Sequence, residues 1–125
     1  MATAVGAFNN QLLAFVEELA ETYPEETQLR TAVDGLRGLK KANPKLLHSA
    51  FMEYVYPDFH APVLAEDEVT IIEKAKTILN SPQSQYAFAY LIFDKYWSTM
   101  SEANKQSIWN WCKVLVVLAK RAGGD

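Results

Sequence analysis

A chain of 125 residues, half of them apolar and 12% aromatic, is long enough for one real core and too apolar for a disordered segment. Its formal charge of -3 gives no general pull toward phosphate backbones, which excludes indiscriminate nucleic-acid binding. The single cysteine, Cys112, excludes an intramolecular disulfide and a cysteine-based zinc site, and it suits a reducing compartment.

Phe8, Leu12, Phe15, Val16 and Leu19 recur at helical spacing with Glu17, Glu18 and Glu21 opposite, which predicts a first helix over about residues 8–22. Pro24 suits the first position of a second helix, where its missing N–H costs nothing. Glu25 and Glu26 follow at the positive end of the helix dipole, and Lys40 and Lys41 fall at the negative end. Leu29, Val33, Leu36 and Leu39 give the apolar face. Gly35 and Gly38 inside this helix are expected to mark a close approach by a neighbour.

Asn43-Pro44 reads as cap followed by first helical residue, opening a third helix on Leu47, Phe51, Tyr54 and Val55. Pro57 is expected to stop it. Residues 57–64, with two prolines, are expected to form the one long loop. A fourth helix is predicted over about residues 66–79 on Val69, Ile72, Ala75, Ile78 and Leu79. Ser81-Pro82 repeats the cap-then-proline device and opens a fifth helix to about residue 98, carrying Tyr86, Phe88, Tyr90, Phe93 and Trp97. Thr99 or Ser101 caps a sixth helix that runs to about residue 121 and ends at Gly123-Gly124. No strand-like alternation, internal repeat or low-complexity tract interrupts this pattern.

The expectation is therefore an all-α fold, one domain over residues 1–125 with residues 1–7 and 122–125 as flexible ends, built as a compact bundle of five or six helices. The sixth helix differs from the rest. Ile108, Cys112, Leu115, Val116 and Ala119 form one apolar stripe, and Trp111, Val114 and Leu118 form a second beside it. A helix apolar over so much of its circumference lies at the centre of its domain or against another subunit.

Catalytic chemistry finds little to work with. His48 and His60 are the only histidines, and neither stands at a spacing that pairs it with a nucleophile. Asp58, His60, Asp67 and Glu68 are the nearest approach to a ligand cluster, but they fit no metal-ligand pattern, and acids at a helix start are favoured by the dipole alone. No glycine-rich phosphate loop is present. We expect no enzyme activity, no metal and no cofactor.

Aromatic residues are more numerous than one small core easily hides. Phe51, Phe88 and Phe93 are read as core. Tyr56 and Phe59, next to prolines, and Trp109, near the polar edge of the sixth helix, are the candidates for an exposed surface that binds a protein partner or a second copy. The alternative is a nucleic-acid-associated regulatory domain using Arg30, Arg37, Lys40, Lys41 and Lys45, although no interleaved exposed aromatics accompany that basic stretch. The longest apolar run, residues 114–119, is far short of the ~20 residues that span a bilayer. The start, Met-Ala-Thr-Ala-Val-Gly, lacks the basic and apolar regions of a signal peptide, so a cytoplasmic protein is expected.

Several segments occur together in order: Phe8-Asn-Asn-Gln-Leu-Leu-Ala-Phe-Val-Glu-Glu-Leu19, Tyr23-Pro-Glu-Glu26, Leu39-Lys-Lys-Ala-Asn-Pro-Lys-Leu46, Ala65-Glu-Asp-Glu68 and Ile108-Trp-Asn-Trp-Cys-Lys-Val-Leu-Val-Val-Leu-Ala119. In these the chain resembles a family of small helical proteins encoded by nucleocytoplasmic large DNA viruses. It departs from the family pattern at Val69-Thr70, where aromatics would stand. The resemblance implies a viral protein, in the infected cytoplasm or in the virion, and it implies no chemistry.

Overall fold

The computed structural model describes residues 3–79 and 95–123. It is all-α, and no strand occurs among the described residues. Among the described residues six helices occur in chain order: α1 (Ala4–Thr22), α2 (Thr27–Ala42), α3 (Pro44–Tyr54), α4 (Tyr56–Leu64), α5 (Glu68–Leu79) and α6 (Glu102–Ala122). Residues 95–97 add a helical turn ahead of α6. The rest of the expected fifth helix, with Tyr86, Phe88, Tyr90 and Phe93, lies outside the described residues.

Helix boundaries follow the caps. Thr3 accepts the Gly6 N–H at 2.9 Å and starts α1 at Ala4, so residues 4–7 are helical and not a loose end. The apolar rhythm begins only at Phe8 because Ala4, Gly6 and Ala7 carry little hydrophobic signal. Pro24 does not open α2. It sits in a turn closed by Glu26 N–H to Tyr23 O at 3.0 Å, and the helix begins at Thr27. Asn43 precedes α3 without a side-chain cap bond. Asp67 caps α5, accepting Thr70 N–H at 3.1 Å and Thr70 Oγ1–H at 2.7 Å. Ser101 wins over Thr99 at α6, accepting Asn104 N–H at 3.2 Å. At the far end Ala122 is still helical, and Gly123 closes the helix with an ordinary negative φ.

The largest correction concerns residues 57–64, which form helix α4 and not a loop. Pro57 lies in its first turn, where no N–H is required. Pro62 lies inside it and is buried. The carbonyl its missing N–H would have met belongs to Asp58, an exposed residue, so water can satisfy it. A nine-residue helix with one missing bond is held by what it buries, Pro62 and Val63, rather than by propensity.

The core runs along α1 and α6. Phe8, Leu115 and Ala119 form its buried centre, with Leu12, Phe15, Phe51, Met52, Tyr56 and Leu118 packed around them. Phe8 lies beside residues 115–119 and Phe15 stacks on Trp111 at 5.6 Å, so the two helices run antiparallel. Helix α3 closes one side: Phe51 and His48 present ring edges to Phe8 at 5.0 and 5.5 Å. His48 Nε2 lies 2.8 Å from Ala119 O. That oxygen can only accept, so this nitrogen carries the hydrogen. Asn9, buried, donates its amide to Pro44 O at 2.7 Å and fixes α1 against the start of α3. Helix α6 thus packs on α1, α3 and α4.

Two predicted details change. Gly35 and Gly38 mark no close approach, since an added Cβ would meet nothing within 4 Å at either. The second apolar stripe of α6 divides: Trp111 and Leu118 pack inward, while Val114 stays exposed.

Candidate protein interface

Helix α4 carries Tyr56, His60 and Leu64 at spacings of four, which places them on one face. Tyr56 and His60 stack in parallel at 4.4 Å with 4° between their planes. His60 Nδ1 lies 2.6 Å from Tyr56 O. A carbonyl only accepts, so Nδ1–H donates, and in the neutral ring Nε2 is the bare acceptor. This fixes both the ring and its tautomer.

Facing that row, α6 presents Val116, Val117, Lys120 and Arg121. The seven residues line a groove of about 370 Å³ between the two helices. Leu64 and Val117 are 49% and 46% exposed, large apolar side chains on opposite walls. No carboxylate among the described residues lines the groove. Lys120 and Arg121 occupy the last turn of α6, where cations are favoured by the helix dipole. Among the described residues neither is paired with an acid.

A smaller cavity of about 80 Å³ adjoins the groove and shares Tyr56, His60 and Val116 with it. Its remaining walls are Phe51, Val55, Phe59, Val63, Cys112 and Leu115. Cys112 gives this wall a protonated thiol, since burial pushes its pKa up to about 11.

Of the sequence-predicted surface residues, Tyr56 and Phe59 come together here, both half-buried. Trp109 does not. It is 9% exposed and packs edge-to-face on Trp97 at 5.5 Å, so its expected role as a surface residue is corrected to core. Trp97 Nε1–H donates to Glu68 Oε1, and Lys105 sits 5.2 Å above the Trp97 ring, which closes this second packing centre.

Arg30, Arg37 and Lys41 of the basic stretch share one exposed face of α2, and Lys45 stands on α3. Arg37 is bound to Glu17 of α1 and lies 3.9 Å from Asp34. Lys40 is half-buried, while Arg30, Lys41 and Lys45 are exposed. The candidate ligand cluster of Asp58, His60, Asp67 and Glu68 is dispersed. Asp58 faces Lys74 at 3.7 Å, Asp67 caps α5, and Glu68 holds Trp97. No group of three or more potential metal ligands occurs among the described residues.

Two acid–base arrangements stand elsewhere. Glu66, at φ 53° in the left-handed region, is held by Lys113 and Gln106. Glu25 and Glu26 both meet the Tyr96 hydroxyl at 2.8 Å, with Lys95 on Glu26. Tyr96 is pushed up to about 12 by desolvation and by its bonds to the two carboxylates, so it stays protonated near neutrality. Both arrangements are ion-paired ties between segments, on the surface. No helix among the described residues is long and apolar enough to cross a membrane.

No family model, curated protein or solved structure matches the chain.

Proposed function

We propose that this chain is a non-enzymatic protein-interaction domain that docks its partner on the face between α4 and α6. One observation carries the reading. Leu64 and Val117 stay half in water on either side of a groove that continues into an apolar cavity. Apolar surface arranged around a concavity and rimmed by charge is characteristic of a binding face, whereas scattered exposed residues are ordinary. Leu39, Leu46 and Val69 are also exposed, but they line neither the groove nor the cavity and fall in the ordinary class. Tyr56 and Phe59 give the face its aromatic content, in keeping with the composition of interface hot spots.

The resemblance to helical proteins of large DNA viruses supplies the proposed setting, an infected cytoplasm or a virus particle. Recognition of nucleic acid by the basic stretch has less support, because Arg37 already has acidic partners.

The test is selection of random 16-residue peptides displayed on phage against the purified chain. Ligands recovered on the wild type should fail to bind a Leu64→Glu, Val117→Glu variant. They should still bind a Lys41→Glu, Lys45→Glu control, altered at exposed positions outside the groove. Recovery of no ligand, or of ligands indifferent to Leu64 and Val117, would sink the reading.

A further inference from the structure

The groove has a chemistry more specific than apolarity, and its partner can be narrowed on the premise that this face is the one that docks. Its two walls are helices, one presenting Tyr56, His60 and Leu64, the other Val117 and Arg121 four residues apart, with Val116 and Lys120 repeating that spacing alongside. A furrow between two helices is the natural seat for a third, whose apolar residues at spacings of three and four fit between the ridges. No sheet edge exists among the described residues to which an extended strand could add.

Charge selects among helices. Lys120 and Arg121 are exposed on the rim, and among the described residues no carboxylate pairs with either. His60, its Nδ1 committed to Tyr56 O, has Nε2 left for a partner. Besides the Tyr56 hydroxyl and His60, whose Nε2 in the neutral ring accepts and so selects no acid, the polar groups lining the groove are the two cations Lys120 and Arg121. The adjoining cavity of about 80 Å³ has wholly apolar walls apart from Tyr56, His60 and the protonated thiol of Cys112. Its size and lining suit a single branched aliphatic side chain.

We infer that the α4–α6 groove receives an acidic amphipathic helix of a partner protein, with one aliphatic side chain of that helix seated in the cavity walled by Phe51, Phe59, Val63 and Leu115. Carboxylates on the flank of the incoming helix meet Lys120 and Arg121. An acidic helix suits this site even though the whole chain carries -3, because the rim is locally positive and screening within about 10 Å hides more distant charge.

The probe is a synthetic, end-capped 16-residue peptide with leucine at helical spacings and glutamate on both flanks. It is compared, by fluorescence anisotropy on the full chain, with the same peptide carrying lysine for glutamate. The acidic peptide should bind at least about tenfold more tightly than the basic one, and more weakly as salt is added. A Lys120→Glu, Arg121→Glu variant should reverse the preference, and Leu64→Glu should abolish binding of both. These positions are exposed, so helical content checked by circular dichroism should be unchanged.

Equal binding of the two peptides, or preference for the basic one, overturns the acidic partner and leaves the interaction reading standing. So does failure of both peptides while phage selection still yields ligands that need Leu64. A concentration-dependent dimer that Leu64→Glu dissolves, with neither peptide bound, assigns the groove to a second copy and overturns the inference too. Acidic-peptide binding undiminished in Leu64→Glu places the site elsewhere and overturns both.

Discussion

Replacing Phe8 with alanine probes the packing from which every other feature of the fold is built. The ring is 0% exposed and lies against Leu115 and Ala119, with the edges of Phe51 and His48 closing around it. Truncating a fully buried phenylalanine costs about 3–5 kcal/mol, a range that includes the cavity left behind and the lost edge-to-face contacts. Phe15, only half-buried and stacked on Trp111, should cost roughly 1–2 kcal/mol, because part of its area is already in water. Domains of this size hold about 5–15 kcal/mol in total, so Phe8→Ala leaves a marginal protein. Phe8→Leu, at about 1–2 kcal/mol, is the gentler companion should the alanine variant not fold. Urea unfolding followed by tryptophan fluorescence measures all three. Losses below about 0.5 kcal/mol for both alanine variants, as at an exposed site, would refute the placement of α1 against α6.

Other consequences are as direct. Gly35→Ala and Gly38→Ala should each stabilise the protein by about 0.5–1 kcal/mol, raising the thermal midpoint by a few degrees, since an added methyl meets nothing at either site. Cys112, half-buried and with its thiol pushed up to about 11, should be alkylated at pH 8 more slowly than a free cysteine and faster once denaturant unfolds the chain. Glu26, Glu66 and Asp67 are held below their ordinary values, chiefly by hydrogen bonds from Lys95, Lys113 and Thr70 respectively. A depressed folded-state pKa contributes stability above the unfolded value and loses it as pH falls through the folded one. Glu26→Gln should therefore destabilise near neutrality, and its difference from the wild type should vanish in acid titration below the carboxylate range.

The helical architecture was legible because apolar spacing near 3.6 survives in α1, α2, α3 and α6, and because Pro44 and Ser101 stand where caps and first turns belong. Proline was the misleading signal. Pro57 begins a helix and Pro62 is absorbed inside one, and both look like loop residues when local backbone chemistry is considered alone. The spacing of Tyr56, His60 and Leu64 is a helical sign that the two prolines obscure. Trp109 was misplaced for a different reason. It stands among Ser107, Asn110 and Lys113, so its surroundings in sequence are polar, and its partner Trp97 is found only in three dimensions. The groove shows the same division. Tyr56 in the groove and Phe59 in the adjoining cavity were readable as surplus aromatics, whereas Leu64, Val117, Lys120 and Arg121 acquire meaning only once α4 and α6 are packed together.

That this face, and no other, receives a partner is tested most directly by titrating the isotopically labelled chain with the acidic helical peptide and following its amide resonances. One contiguous set of shifts is expected, spanning Tyr56, His60 and Leu64 on α4 and Val117, Lys120 and Arg121 on α6, and reaching saturation only at about tenfold higher concentration when the lysine peptide is used. Shifts confined to Arg30, Lys41 and Lys45, or no shifts at saturating peptide, would contradict it.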